Sequence, residues 1–263
     1  MTSTADATIE ALRTGHDDLA ALVASLTPEQ LTGPSAASDW DLSQVLSHLG
    51  SGAVIALAGL EAALAGNGNP GPEFNKSVWA RWDAMTPQQR ADGFVAASLG
   101  LVQRYESLDA DTRATLKIDM GFLPEPVDVA TAAGFRLNEF ALHSWDVRVV
   151  FDPAATIRPE ATPLLLDRVG FLLGWIAKPA ALEGRRAALR VQLTGPERGF
   201  GLTLGESVSL GDAPGEPDGV LTAPAEAWLR LATGRLAPQH TPAEVELTGP
   251  VDLDTLRRVF PGF

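Results

Sequence analysis

The feature that most constrains this chain is a change in the period of its apolar residues. As far as Ala177 they recur at spacings of three and four, and beyond Gly184 they alternate by two. The first spacing lines one face of a helix and the second one face of a strand. Ile9, Leu12, His16, Leu19, Val23 and Leu26 form such a helical stripe, predicting a helix over 5–26 that breaks at Thr27-Pro28-Glu29. A second helix is expected to start on the acidic cap around Asp39-Trp40-Asp41 and run through His48 towards Leu64. Gly66–Gly71 and Gly121–Pro126 read as loops, with helical pattern over 76–85 and 87–108 between them and again over 127–150. Four long amphipathic helices joined by loops predict an antiparallel four-helix bundle.

Phe151-Asp152-Pro153 closes that segment, and a further apolar helix is expected over 160–177. Ala188–Leu193, Gly201–Leu204 and Val208–Leu210 then alternate as strands, with helices expected over 224–233 and 253–260. Val191–Pro196 and Val245–Pro250 echo one another as strands running into turns, too briefly to establish a repeat. The fold class is therefore mainly α with an α+β part. The expected domains are a helical bundle over 1–155, and a linking helix with a smaller α+β domain over 156–263. The boundary itself falls between about 151 and 185.

The formal net charge of -13 repels phosphate backbones and anionic bilayers, so neither nucleic acid nor membrane is an expected partner. The start, MTSTADATIEALRTGHDD, lacks a basic patch followed by an apolar stretch. No apolar run is read as approaching the roughly 18 residues that span a bilayer. The expectation is a cytoplasmic chain, monomer or homodimer. Cysteine is absent, which removes thiolate metal sites and any internal thiol nucleophile. A metal would rest on His, Asp and Glu, and thiol chemistry would need a thiol from outside.

Three residues stand out as a candidate ligand set. Glu139 and His143 are four apart and stack on one helical face, and His48 lies on another helix beside the small residues Ser51-Gly52. Two imidazoles and a carboxylate suit a borderline divalent metal and leave a coordination position open. A plainer reading remains beside this one. Arg136, Glu139, His143 and Asp146, at spacings of three, four and three, also describe a solvated helix face.

The stretch Asp39-Trp40-Asp41-Leu42-Ser43-Gln44-Val45-Leu46-Ser47-His48-Leu49 closely resembles the Trp-to-His signature of the DinB-like superfamily. More narrowly, it is similar to the mycothiol-dependent maleylpyruvate isomerase family. Glu139-Phe140-Ala141-Leu142-His143-Ser144-Trp145-Asp146 resembles that family's second segment, and the resemblance covers essentially the whole chain. It implies an N-terminal DinB-like metal-binding bundle and a C-terminal α+β domain of sterol-carrier-like shape. It also implies that His48, Glu139 and His143 hold a divalent metal, Zn²⁺ in the first instance, whose open position receives mycothiol or a related low-molecular-weight thiol.

By the same resemblance, Asp146 orients a ligand imidazole or accepts a proton, the alternative being a surface acid bridged to Arg136 or Arg148. Arg235 would clamp a carboxylate of substrate or thiol, or else simply sit favourably at a helix C-terminus. From its place in the apolar seam of the first helix, His16 would line the metal cavity or act as an acid/base, the alternative being a satisfied core histidine. The expected activity is thiol-dependent isomerisation or S-transfer on a small electrophile. The alternatives are a non-catalytic metal-containing protein that binds or senses a small ligand, and a metal-assisted hydrolase.

Overall fold

The computed structural model describes residues 3–262. Its chain contacts divide into two compact units, the first ending at Asp152 and the second beginning at Pro153.

The first unit is helical. It comprises α1 (Thr4–Val23), the short α2 (Pro28–Leu31), α3 (Leu42–Leu64), α4 (Pro72–Asp83), α5 (Pro87–Glu106), α6 (Ala110–Thr115) and α7 (Val129–Arg148). Between α6 and α7, β1 (Lys117–Ile118) pairs antiparallel with β2 (Val127–Asp128) across the Gly121–Pro126 loop. The four long helices α1, α3, α5 and α7 make the bundle: α3 lies along α5, α1 along α7 and α5, and α3 also meets α7. Each starts on a side-chain cap, from Ser3, Asp41, Thr86 and Asp128. In α1, α3 and α5 the residue at the third helical position returns a bond to the cap, so orphan amides at the helix start are satisfied locally.

One sequence expectation is corrected here. Leu42–Leu64 is long and apolar enough, by length and composition, to cross a membrane. Its 23 residues are rich in Leu, Ala and Gly, with a first charge only at Glu61, and the scattered Ser, Gln and His residues near its start mask the length of the run. Half of its apolar window is buried within the fold, where Val45, Leu46, Leu49, Ala53 and Leu60 are in the core. Beside them, a Cβ at Gly50 would lie 2.1 Å from the Trp82 ring, so glycine there lets the α4 indole press against the α3 backbone.

The second unit contains α8 (Thr162–Ile176), β3 (Ala187–Thr194), β4 (Arg198–Leu204), β5 (Val208–Gly211), β6 (Gly219–Pro224), α9 (Ala225–Ala232), β7 (Glu246–Leu247) and α10 (Leu253–Val259). The sheet order is β5-β4-β3-β6-β7, with β3 and β6 parallel and every other pair antiparallel. Trp228 of α9 is fully buried beneath this sheet, with Phe200 at 5.4 Å and Phe260 at 6.2 Å between ring centroids. The helical bundle followed by a smaller α+β unit is the expected fold class.

Candidate metal centre

The structure brings His48 of α3 together with Glu139 and His143 of α7. One ligand atom from each lies within 4.8 Å of the others. His48 Nε2 is 3.0 Å from Glu139 Oε2, and His143 Nε2 is 3.9 Å from the same oxygen. Ligands about 2.0–2.1 Å from a tetrahedral zinc ion stand about 3.3–3.4 Å apart, a value these two separations bracket. The donor set, two imidazoles and a carboxylate, therefore fits a divalent metal with positions left open.

Burial works against ionisation of Glu139. The His48 hydrogen bond and the charges of His143, His48 and Arg136 outweigh it, holding the carboxyl well below its ordinary range, at about 2. The Glu139 carboxylate is thus already anionic at neutral pH and would need no proton release before binding a cation.

His143 is aimed by a second contact. Its Nδ1 lies 2.9 Å from Oδ2 of Asp146, a carboxylate with no solvent exposure. With Nδ1 engaged there, Nε2 is the nitrogen turned to Glu139. Trp40 covers both imidazoles, its ring centroid 5.2 Å from His48 and 5.7 Å from His143. Trp145, by contrast, is a core residue at 2% exposure.

His48 also forms part of the wall of a cleft of about 370 Å³ between α3, α4 and the start of α5. Trp40, Gln44, Ser51, Trp79 and Arg90 contribute to the lining. Trp79 is an open wall at 49% exposure. Arg90 is held by the carbonyls of Trp82 (3.3 Å) and Asp83 (2.9 Å) and by the Ser43 hydroxyl (3.4 Å). All three are neutral acceptors, so among the described residues no carboxylate is salt-bridged to this guanidinium. Sequence reasoning missed Trp79 and Arg90. Their one signal was the Trp79-x-x-Trp82 spacing, which places both indoles on one side of α4.

The polar stripe of α7 turns inward, so the solvated-face reading fails. Arg136 is 7% exposed and Asp146 wholly buried. Arg136 Nη2 donates to the Leu49 carbonyl of α3 at 2.6 Å. Burial lowers its pKa to about 10, with Glu139 and Tyr105 opposing, which leaves the guanidinium charged at neutral pH.

The other sequence candidates are His16 and Arg235. His16 of α1 is buried at 3% exposure, with its ring 6.4 Å from that of Phe94, and it is not a member of the three-ligand group. Its Nδ1 has no hydrogen-bond partner among the described residues. Arg235 belongs to the second unit, where Nη1 donates to the Thr233 carbonyl at the end of α9.

Fold and site together define a helical-bundle protein whose facing helices present a candidate His₂Glu metal centre. Residues 12–148 match the family described as the mycothiol maleylpyruvate isomerase N-terminal domain, just over half of the chain, and the chain belongs to that family. Two uncharacterized proteins of Mycobacterium tuberculosis, from strains CDC 1551 / Oshkosh and ATCC 25618 / H37Rv, are each 25% identical over 190 residues. The match spans 70% of this chain and 81% of theirs. The crystal structure of the mycothiol-dependent maleylpyruvate isomerase superposes with a TM-score of 0.65 at 16% identity, covering 96% of this chain and 98% of that one. A histidine-to-alanine mutant of that enzyme gives 0.64 at 17% identity with the same coverage. At these identities the likeness speaks for the fold across both units.

Proposed function

We propose that this protein is a metal- and thiol-dependent enzyme that isomerises a small conjugated electrophile or transfers sulfur to it, with mycothiol or a related thiol as cosubstrate. The observation that carries the reading is the convergence of His48, Glu139 and His143, with His48 also lining a cleft large enough for small organic groups. Family membership favours mycothiol, and the absence of cysteine is consistent with a thiol supplied from outside.

His48, Glu139 and His143 would hold the metal, with Zn²⁺ matched to this borderline donor set. When bound, the metal supplies a lowered thiol pKa, so that thiolate is present at neutral pH. Asp146 keeps the His143 imidazole in one tautomer and orientation. Trp40 shields both imidazoles from water on one side. In the cleft, Trp79 offers an apolar wall, and Arg90, with only neutral partners, can meet an anionic group on the electrophile and orient it towards His48.

The chemistry balances in two ways. Sulfur forms a bond to the far carbon of a conjugated double bond, and that electron pair moves to the carbonyl oxygen. The former double bond is then free to rotate. If the C–S bond breaks again, the double bond reforms in the other geometry and the thiol is returned unchanged, which is isomerisation. If a proton reaches the neighbouring carbon first, the thioether remains, which is transfer.

The test is to incubate metal-loaded protein with conjugated keto acids, with and without thiol, and follow both reactants by NMR. Conversion that requires thiol supports the reading, and thiol recovery separates isomerase from transferase. Hydrolysis that proceeds without thiol would replace it with a metal-assisted hydrolase, and binding without turnover would leave a ligand-binding protein.

A further inference from the structure

The guanidinium of Arg136 is an unusual guest in a bundle core. It is 7% exposed and forms no salt bridge among the described residues, with Glu139 acting on its charge only at longer range, although burying a charge is costly. The chain has made a seat for it. A Cβ at Gly52 would come within 2.8 Å of Nη1, so glycine on α3 leaves room for the guanidinium where it lies. From that seat Nη2 reaches the carbonyl of Leu49 at 2.6 Å. Leu49 directly follows His48, Gly52 lies one turn beyond it, and Arg136 lies one turn before Glu139 on α7. A single side chain therefore ties the two helices together within a turn of a proposed ligand on each.

We propose that Arg136, seated over Gly52, is the positioning residue of the metal centre, setting the separation of α3 and α7 at which His48 and Glu139 can share one ion. This rests on the reading of His48, Glu139 and His143 as metal ligands. A backbone carbonyl moves only with its helix, so the bond to Leu49 reports helix position in a way that a bond to a flexible side chain would not.

Electrostatics makes the role separable from a merely structural one. Deleting a cation near a cation-binding site should by Coulomb's law alone tighten metal binding. Lost positioning should weaken it. Zinc affinity is read by chelator competition, and ligand geometry by the absorption spectrum of the Co²⁺-loaded protein, in wild type, Arg136→Met, Arg136→Lys and Gly52→Ala. Arg136→Met is expected to fold without metal, to bind Zn²⁺ roughly tenfold or more weakly, and to shift the Co²⁺ bands. Arg136→Lys is expected to recover part of the affinity. Gly52→Ala keeps the charge but displaces the guanidinium, and is expected to weaken binding as well, so it carries the test if Arg136→Met does not fold. A folded Arg136→Met, or failing that Gly52→Ala, that binds as tightly as wild type overturns the proposal alone. Wild-type protein that takes up no metal overturns the ligand reading and this inference with it.

Discussion

Asp146 Oδ2 sits 2.9 Å from Nδ1 of His143, and the Asp146 side chain is sealed from solvent. A buried carboxylate on the far nitrogen of a metal-facing imidazole fixes the tautomer and raises the basicity of the other nitrogen. Asp146→Asn keeps the size and removes the charge. It is expected to lower zinc affinity about tenfold to a hundredfold while leaving the metal-free protein folded, as read by chelator competition and circular dichroism. Unchanged affinity would make Asp146 a core residue only.

Trp82 depends on Gly50. With a Cβ 2.1 Å from the indole, Gly50→Ala forces the Trp82 ring or its helix to shift, and it is expected to cost about 1–3 kcal/mol in urea unfolding. Shrinking the indole, in the Gly50→Ala/Trp82→Leu double variant, should give less than the sum of the two single losses. Simple additivity would contradict this packing.

Arg90 bears on binding, not on the metal. Arg90→Met is expected to leave zinc content unchanged and to raise KM for an anionic electrophile by about tenfold, roughly the value of one charge-assisted hydrogen bond. Steady-state kinetics with a charged substrate and its methyl ester check this. An equal effect on both would remove Arg90 from substrate recognition.

His16 makes a pH prediction. Burial pushes its pKa below the ordinary histidine value, with Asp17 opposing and Arg13 assisting. As pH falls through about 6.5 the unfolded chain takes up a proton that the buried ring resists, so the unfolded state binds more protons and stability drops towards acid. The loss sets in at about pH 6.5 and continues down to the lowered folded-state value. His16→Leu removes this penalty. Measured by urea unfolding of the metal-free proteins, its stability relative to wild type should rise between pH 7.5 and 5.5, by at most about 1.4 kcal/mol. A difference that stays constant with pH would contradict the assignment.

The bundle was legible because its signals are local. The stripe from Ile9 to Val23 and the Asp41 cap with Gln44 depend only on neighbours along one helix. Helix α4 begins at Pro72, a turn earlier than its pattern implied, because proline at a first helical position reads equally well as loop. Strand β6 was missed since Gly219, Leu221 and Ala223 carry little apolar contrast, and its partner β3 lies far away in sequence. The same limit applies at the site. His48, Glu139 and His143 could be picked out by residue type, but the room beside α3 that the Arg136 guanidinium occupies lies at Gly52, on another helix. The Arg90 seat likewise joins Ser43 to the end of α4. No periodicity along one helix carries either fact.

The most direct measurement of the central claim is calorimetric titration of mycothiol into metal-loaded protein, with metal content determined on the same sample and on His48→Ala. The account predicts about one divalent metal per chain in the wild type, saturable thiol binding, and loss of both in the variant. Stoichiometric metal with no thiol binding, or thiol binding that survives the loss of metal in His48→Ala, would contradict it.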